Sequence, residues 1–169
     1  MVAQELAAQG DGPGDMDVVL RQHVKAAEMA AEAGFDMIEL HAAHGYLLSS
    51  FISPISNIRD DDYGGSLDNR LRFGMRVLQA IRDRIGGRLA VGLRIVADED
   101  WNQGLTRSEG IEICKRFRDS GLIDFLNIIK GHIDHDAPLA DVIPVSGMKA
   151  SPHLDFAGDV RAATNFPVF

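Results

Sequence analysis

The chain has 169 residues, 46% of them apolar and 25% charged, which excludes a collagen, a disordered tail and a disulfide scaffold and makes an ordinary soluble globular domain the expectation. Its 25 acidic residues outnumber its 17 basic ones, and the formal net charge of -8 is spread without long runs of either sign, so no nucleic-acid or anionic-membrane surface is expected. Cys114 is the only cysteine, so this chain alone can build no disulfide, no CxxC redox pair and no cysteine-ligated iron-sulfur cluster. No apolar run approaches the roughly 20 residues that cross a bilayer, and the N-terminus lacks the basic-then-apolar order of a signal peptide, so the expected location is the cytoplasm.

Residues 1–14 end in a Gly-Asp-Gly-Pro-Gly breaker cluster and read as a lead-in loop, which leaves residues 15–169 as the folded part. Asp15 or Asp17 caps a helix running to about Ala33, with Val19, Leu20, Val24, Ala27, Ala30 and Ala31 as its apolar stripe and Gly34 as its stop. Phe35 to Leu40 suits a strand that ends at His41, and Tyr46 to Ile52 a short apolar helix. Tyr63-Gly64-Gly65-Ser66 reads as a turn followed by a helix cap, and the neighbouring Asp60, Asp61 and Asp62 beside Arg59 as a solvated turn. Then the alternation repeats: helix Leu67 to Ile85, strand Leu89 to Ile95, helix Ser108 to Ser120, strand Asp124 to Ile129, helix Leu154 to Ala163, and Pro167-Val168-Phe169 as the opening of one more strand.

Short helix-to-strand connections and continuously apolar strands indicate a parallel sheet covered by helices. Of the two common architectures, the open doubly wound sheet would place a glycine-rich turn after its first strand, where this chain has His41-Ala42-Ala43-His44-Gly45-Tyr46. Polar side chains at several strand ends favour the (β/α)8 TIM barrel. Only about four strands can be counted, whereas such a barrel takes about 250 residues, so the expectation is a partial barrel.

Parallel α/β proteins build their sites at the carboxyl ends of the strands, and those ends are unusually polar here. His41, His44 and Tyr46 follow the first strand; Arg94 lies near the end of the second, with Asp98 and Asp100 beyond; Lys130, His132, Asp134, His135 and Asp136 follow the third. A histidine pair can hydrogen-bond an anionic or carbonyl oxygen, and a tyrosine can donate a proton to a developing carbanion; Tyr46 could equally pack as core. Arg94 interrupts an apolar run, and its charge needs a partner there: Asp98, Glu39 or a bound anionic or electron-rich ligand. Trp101 either lines a ligand mouth or anchors its own loop. A rival arrangement uses the two H-x-x-H pairs, His41 with His44 and His132 with His135, plus Asp134 and Asp136, as a metal-hydrolase site.

Taken together, His41-Ala42-Ala43-His44-Gly45-Tyr46-Leu47-Leu48, Phe51-Ile52-Ser53-Pro54, Asn57-Ile58-Arg59, Asp62-Tyr63-Gly64-Gly65-Ser66 and Asn69-Arg70-Leu71-Arg72-Phe73 resemble the old yellow enzyme family of FMN-dependent oxidoreductases. The resemblance runs from about Ala26 to Phe169 and implies an FMN-binding eight-stranded barrel, of which this chain looks like the part from the fourth strand to the start of the seventh. It places His41 and His44 on the pair that holds the substrate's activating oxygen, Tyr46 on the proton donor and Arg94 on a flavin-contacting basic residue; His132 and Asp136 become candidate substrate contacts. The segment from Lys130 to Gly158 is similar to the branch of N-methylproline demethylases, trimethylamine dehydrogenases and dienoyl-CoA reductases. The implied activity is hydride transfer through flavin, with NAD(P)H as a possible donor and an activated alkene or an N-methyl amine as the small-molecule substrate; metal is not expected. Because the resemblance assigns the flavin phosphate to loops outside this chain, weak FMN binding or none, and self-association through open sheet edges, are expected of the chain alone. A non-catalytic fragment is the alternative.

Overall fold

The computed structural model describes residues 13–131, 143, 146–147, 151 and 153–169. In chain order the elements are α1 (Pro13–Glu32), β1 (Met37–Ala42), α2 (Leu47–Ile52), α3 (Leu67–Ile85), β2 (Ala90–Asp98), α4 (Arg107–Asp119), β3 (Phe125–Lys130) and α5 (Leu154–Thr164). The first helix begins two residues before Asp15, inside the breaker cluster, because proline's fixed φ and absent N–H suit a first helical turn. β2 runs on to Asp98, three residues past the sequence expectation.

The sheet is parallel, in the order β1-β2-β3. A fourth segment joins it outside β3, where Val168 bridges Leu126 in parallel and the Phe169 N–H donates to the Leu126 carbonyl at 2.9 Å. This is a partial (β/α)8 barrel with its helices on one face. Toward them point Leu40, Ala42, Val91, Leu93, Ile95, Ala97, Leu126 and Ile128, all buried in the main core with Leu71, Phe73, Val77, Leu78 and Ile81 of α3 and Ile113, Cys114 and Phe117 of α4. The α1 stripe read from the sequence is the face that packs here: Ala27 is buried, and Val19, Leu20, Val24, Ala30 and Ala31 are partly buried against the same core.

Alternation along the strands sends every second side chain to the opposite face. There the register forms three rows: Glu39, Gly92 and Phe125; His41, Arg94 and Asn127; and, nearest the carboxyl ends, Val96 with Ile129. Val96 and Ile129 join Ala43 in a small second apolar cluster. Met37 is 54% exposed and Phe169 72% exposed, so this second face is open around Met37, His41 and Phe169 and closed at Phe125, Val96 and Ile129.

Two glycines set how closely the parts approach. A Cβ on Gly110 would stand 1.7 Å from the Ala97 carbonyl oxygen, so only glycine lets α4 lie this close to β2. A Cβ on Gly92 would stand 2.1 Å from the Phe125 ring, which therefore lies across the gap the glycine leaves. Because backbone cannot swing aside as a side chain can, Gly110→Ala is expected to destabilise the fold by about 1–3 kcal/mol, seen as a lower urea midpoint at an unchanged slope.

Candidate active site at the strand ends

Parallel pairing sets His41 directly opposite Arg94, and Arg94 opposite Asn127, so three polar side chains stand in one row on the open face near the carboxyl ends of the strands. Asn127 was not among the residues singled out from the sequence. Its signal was available, since an asparagine within Phe-Leu-Asn-Ile-Ile is as anomalous as the arginine within Gly-Leu-Arg-Ile-Val.

The chain leaves β1 through a tight turn. His44 and Gly45 both have positive φ, at 60° and 76°, and the Tyr46 N–H donates back to the Ala43 carbonyl at 3.2 Å. Two consecutive left-handed residues make this a type I′ turn, in which histidine is among the better-tolerated non-glycine residues. The turn brings the His41 and His44 rings to 5.4 Å between centroids, and Tyr46 to 5.2 Å from His41. Tyr46 caps α2 and is 51% exposed, so it is not a core side chain. The rest of α2 holds it in place. Leu48, Phe51 and Ile52 are buried, and the Ser50 hydroxyl, itself fully buried, donates to the Gly45 and Tyr46 carbonyls at 3.1 Å each.

A buried carboxylate locks this segment to the end of β2. Glu99 is 2% exposed, and its Oε2 accepts from the Ser53 hydroxyl at 2.9 Å and from the Leu105 N–H at 2.7 Å. Asn57, also buried, donates to the Phe51 and Tyr63 carbonyls at 2.6 and 2.8 Å, which closes the loop between α2 and α3. The expected cap is present: the Asn69 N–H donates to the Ser66 hydroxyl at 3.3 Å. Asp60, Asp61 and Asp62 are exposed, with Arg59 paired to Asp61.

Arg94 is half-buried, and its Nε is buried with no hydrogen-bond partner among the described residues. Neither carboxylate candidate pairs with it there. Glu39 instead accepts from the Asn127 amide at 2.9 Å, and the Asp98 carboxylate accepts from the Asp100 N–H at 3.0 Å. Desolvation first, and then the facing Arg94 charge, holds His41 below its ordinary value of 6.5, with Glu39 opposing. At neutral pH the ring is therefore uncharged and presents one N–H and one lone pair. Lys130 pairs with Asp100 at 3.1 Å. Trp101 is half-buried in the loop after β2, where its carbonyl accepts from the Gly104 N–H at 3.0 Å. Burial pushes the Cys114 thiol up to about 12, which makes it an unreactive core group.

His132, Asp134, His135 and Asp136 lie outside the described residues. Among the described residues, no three His, Cys, Asp or Glu side chains converge as metal ligands, and no helix is long and apolar enough to cross a membrane.

A parallel barrel segment with a histidine, arginine and tyrosine at its strand ends defines a class of α/β enzyme-like folds, and comparison with known proteins narrows it. The family described as NADH:flavin oxidoreductase / NADH oxidase matches residues 13–136, and the chain belongs to that family. It is 54% identical over 155 residues to a Rhizobium meliloti (strain 1021) protein named "Probable N-methylproline demethylase", covering 92% of this chain and 23% of that protein. It is 37% identical over 150 residues to the N,N-dimethylglycine/sarcosine dehydrogenase of Chromohalobacter salexigens, covering 89% of this chain and 22% of that protein. Among solved structures, a 2-naphthoyl-CoA reductase in complex with 2-naphthoyl-CoA superposes with a TM-score of 0.83 at 28% identity, covering 93% of this chain and 23% of that one. The chain thus spans less than a quarter of the length of these relatives.

Removing the facing charge tests the electrostatics directly. Arg94→Met is expected to raise the His41 titration midpoint toward 6.5, followed by the imidazole proton resonances; an unmoved midpoint would show that the two side chains do not face each other.

Proposed function

We propose that this segment supplies the substrate-facing part of an FMN-dependent oxidoreductase site whose substrate is an N-methylated amino acid. One observation carries the reading: a half-buried arginine, in register with a neutral histidine at the strand ends, has a buried Nε that no described protein group satisfies. A buried guanidinium nitrogen without an acceptor is costly, and the electron-rich pyrimidine edge of an isoalloxazine offers one. The residues present therefore fit the ring of FMN, and Arg94 would hold it. When bound, FMN accepts a hydride from a substrate carbon and passes the electrons on, with NAD(P)H as the donor where an alkene is the acceptor.

Two relatives bearing names of N-methyl amino acid enzymes favour the amine as substrate. In that reaction His41 and His44 are the polar wall against which the substrate is oriented. An uncharged His41 can accept a hydrogen bond from a substrate N–H or donate one to its carboxylate. His132 and Asp136 are proposed as further substrate contacts. A second reading, reduction of an activated alkene, is supported by Tyr46, whose exposed phenol stands beside the histidines. There His41 and His44 hold the carbonyl oxygen, and Tyr46 gives its proton to the carbon across from the one that receives hydride. A cytoplasmic setting goes with either reaction. The open edge of β1 and the exposed Phe35, Met37 and Phe169 also support association with a second copy of the chain.

The substitution Tyr46→Phe separates the two reactions. In a complete enzyme carrying this segment, it is expected to slow alkene reduction by about a hundredfold or more while leaving reduction of the flavin intact. Oxidation of an N-methyl amino acid should change little with Tyr46→Phe and fall with His132→Ala. Equal loss in every half-reaction on Tyr46→Phe would make Tyr46 a structural residue.

A further inference from the structure

Directly beneath the His41, Arg94 and Asn127 row lies a contact that the proposed reaction does not use. The Asn127 amide donates to Glu39 Oε2 at 2.9 Å, joining β1 to β3 over the top of β2. The two strands are not neighbours, and the contact crosses β2 beside Gly92, which is in register with Glu39 and Phe125. Any side chain at Gly92 would occupy space that the Phe125 ring fills, with a Cβ only 2.1 Å from it.

Glu39 has a second partner within its geometric reach. Arg94 sits one step along the same face, diagonal to Glu39 across the β1–β2 ladder, at a spacing long side chains span. An arginine with a buried, unsatisfied Nε would ordinarily capture such a carboxylate. Here the carboxylate is turned to Asn127 instead. We propose that Asn127 is a positioning residue: by holding the Glu39 carboxylate across β2, it keeps that acid off Arg94 and leaves the guanidinium open to a ligand. The assignment rests on the reading of Arg94 as a ligand-facing group, yet the contact itself can be tested with no ligand at all.

His41 is the reporter, because its ring faces every charge concerned. Arg94 confronts it from β2, Glu39 lies two residues before it on β1, and His44 and Tyr46 face it from the turn; β3 contributes the uncharged Asn127. Arg94 pushes its titration down and Glu39 pushes it up. If Glu39 moves onto Arg94, the arginine's push is offset by the acid beside it.

The experiment is a double-mutant cycle on the chain as it stands, read as the His41 titration midpoint by NMR. Asn127→Leu, which keeps the shape and removes the amide, is expected to raise the midpoint; Glu39→Gln is expected to lower it; and the double variant is expected to match Glu39→Gln alone, since the leucine then has no carboxylate to release. Asn127→Ser, whose hydroxyl is too short to reach Glu39 across β2, gives the same upward shift should the leucine variant fail to fold. An unmoved midpoint in the folded Asn127 variants, or an equal shift with and without the Glu39 carboxylate, overturns the proposal. In a complete enzyme carrying this segment, flavin binding left unchanged by Arg94→Met would count against the ligand assigned to Arg94 and would leave this cycle as it is.

Discussion

Everything at the strand ends depends on one constraint, the parallel register that sets His41 against Arg94 and Arg94 against Asn127. Side chains alternate along a strand, so a slip of one residue would turn all three toward the helices and bring Leu40, Leu93 and Ile128 out to the open face. Burial therefore enforces the register. The apolar residues of the covered face are nearly fully enclosed by α3 and α4, and moving them out would forfeit roughly 1.5–3 kcal/mol for each large side chain. The polar row is held in place by apolar packing on the opposite side of the same strands.

The polar row is also kept apart from its own counter-charges. Glu39 is engaged by Asn127 and Asp98 by the Asp100 amide, and among the described residues Arg94 pairs with neither. A fold optimised only for stability would close a diagonal pair such as Glu39 with Arg94. Leaving a buried guanidinium nitrogen unsatisfied while a carboxylate stands nearby marks a place where stability is given up, and such places cluster at ligand sites. The same holds for His44, whose left-handed backbone is maintained by the turn and by the Ser50 hydroxyl beneath it.

Much of this was legible in the sequence, for physical reasons that differ from element to element. α3 was read to the residue because Ser66 caps it and Gly86 ends it, and both signals are local. The α1 stripe was read correctly from its period, although the helix starts earlier because Pro13 opens it. His41, His44, Tyr46 and Arg94 stood out as polar groups at the ends of apolar runs, and the structure brings them to one end of one sheet. Gly92 and Glu99 did not stand out, and Asn127, anomalous within its apolar strand, gave no sign of its partner. Their importance comes from contacts across strands or loops, over separations that no local pattern encodes: 88 residues between Asn127 and Glu39, and 46 between Ser53 and Glu99. The partner of Arg94 was likewise undecidable from sequence, since Glu39 and Asp98 both lie within reach and only the geometry shows each turned elsewhere.

The central claim is that the row His41, Arg94 and Asn127 faces a flavin ring. The most direct measurement is a backbone and side-chain NMR titration of the chain with FMN, and in parallel with an isoalloxazine that lacks the phosphate. Weak, saturable shifts centred on Arg94, His41 and Asn127 are expected, similar for both ligands, with the α1 and α3 surfaces unmoved. Shifts confined to those helices, or shifts on the strand-end row that vanish without the phosphate, would contradict the claim.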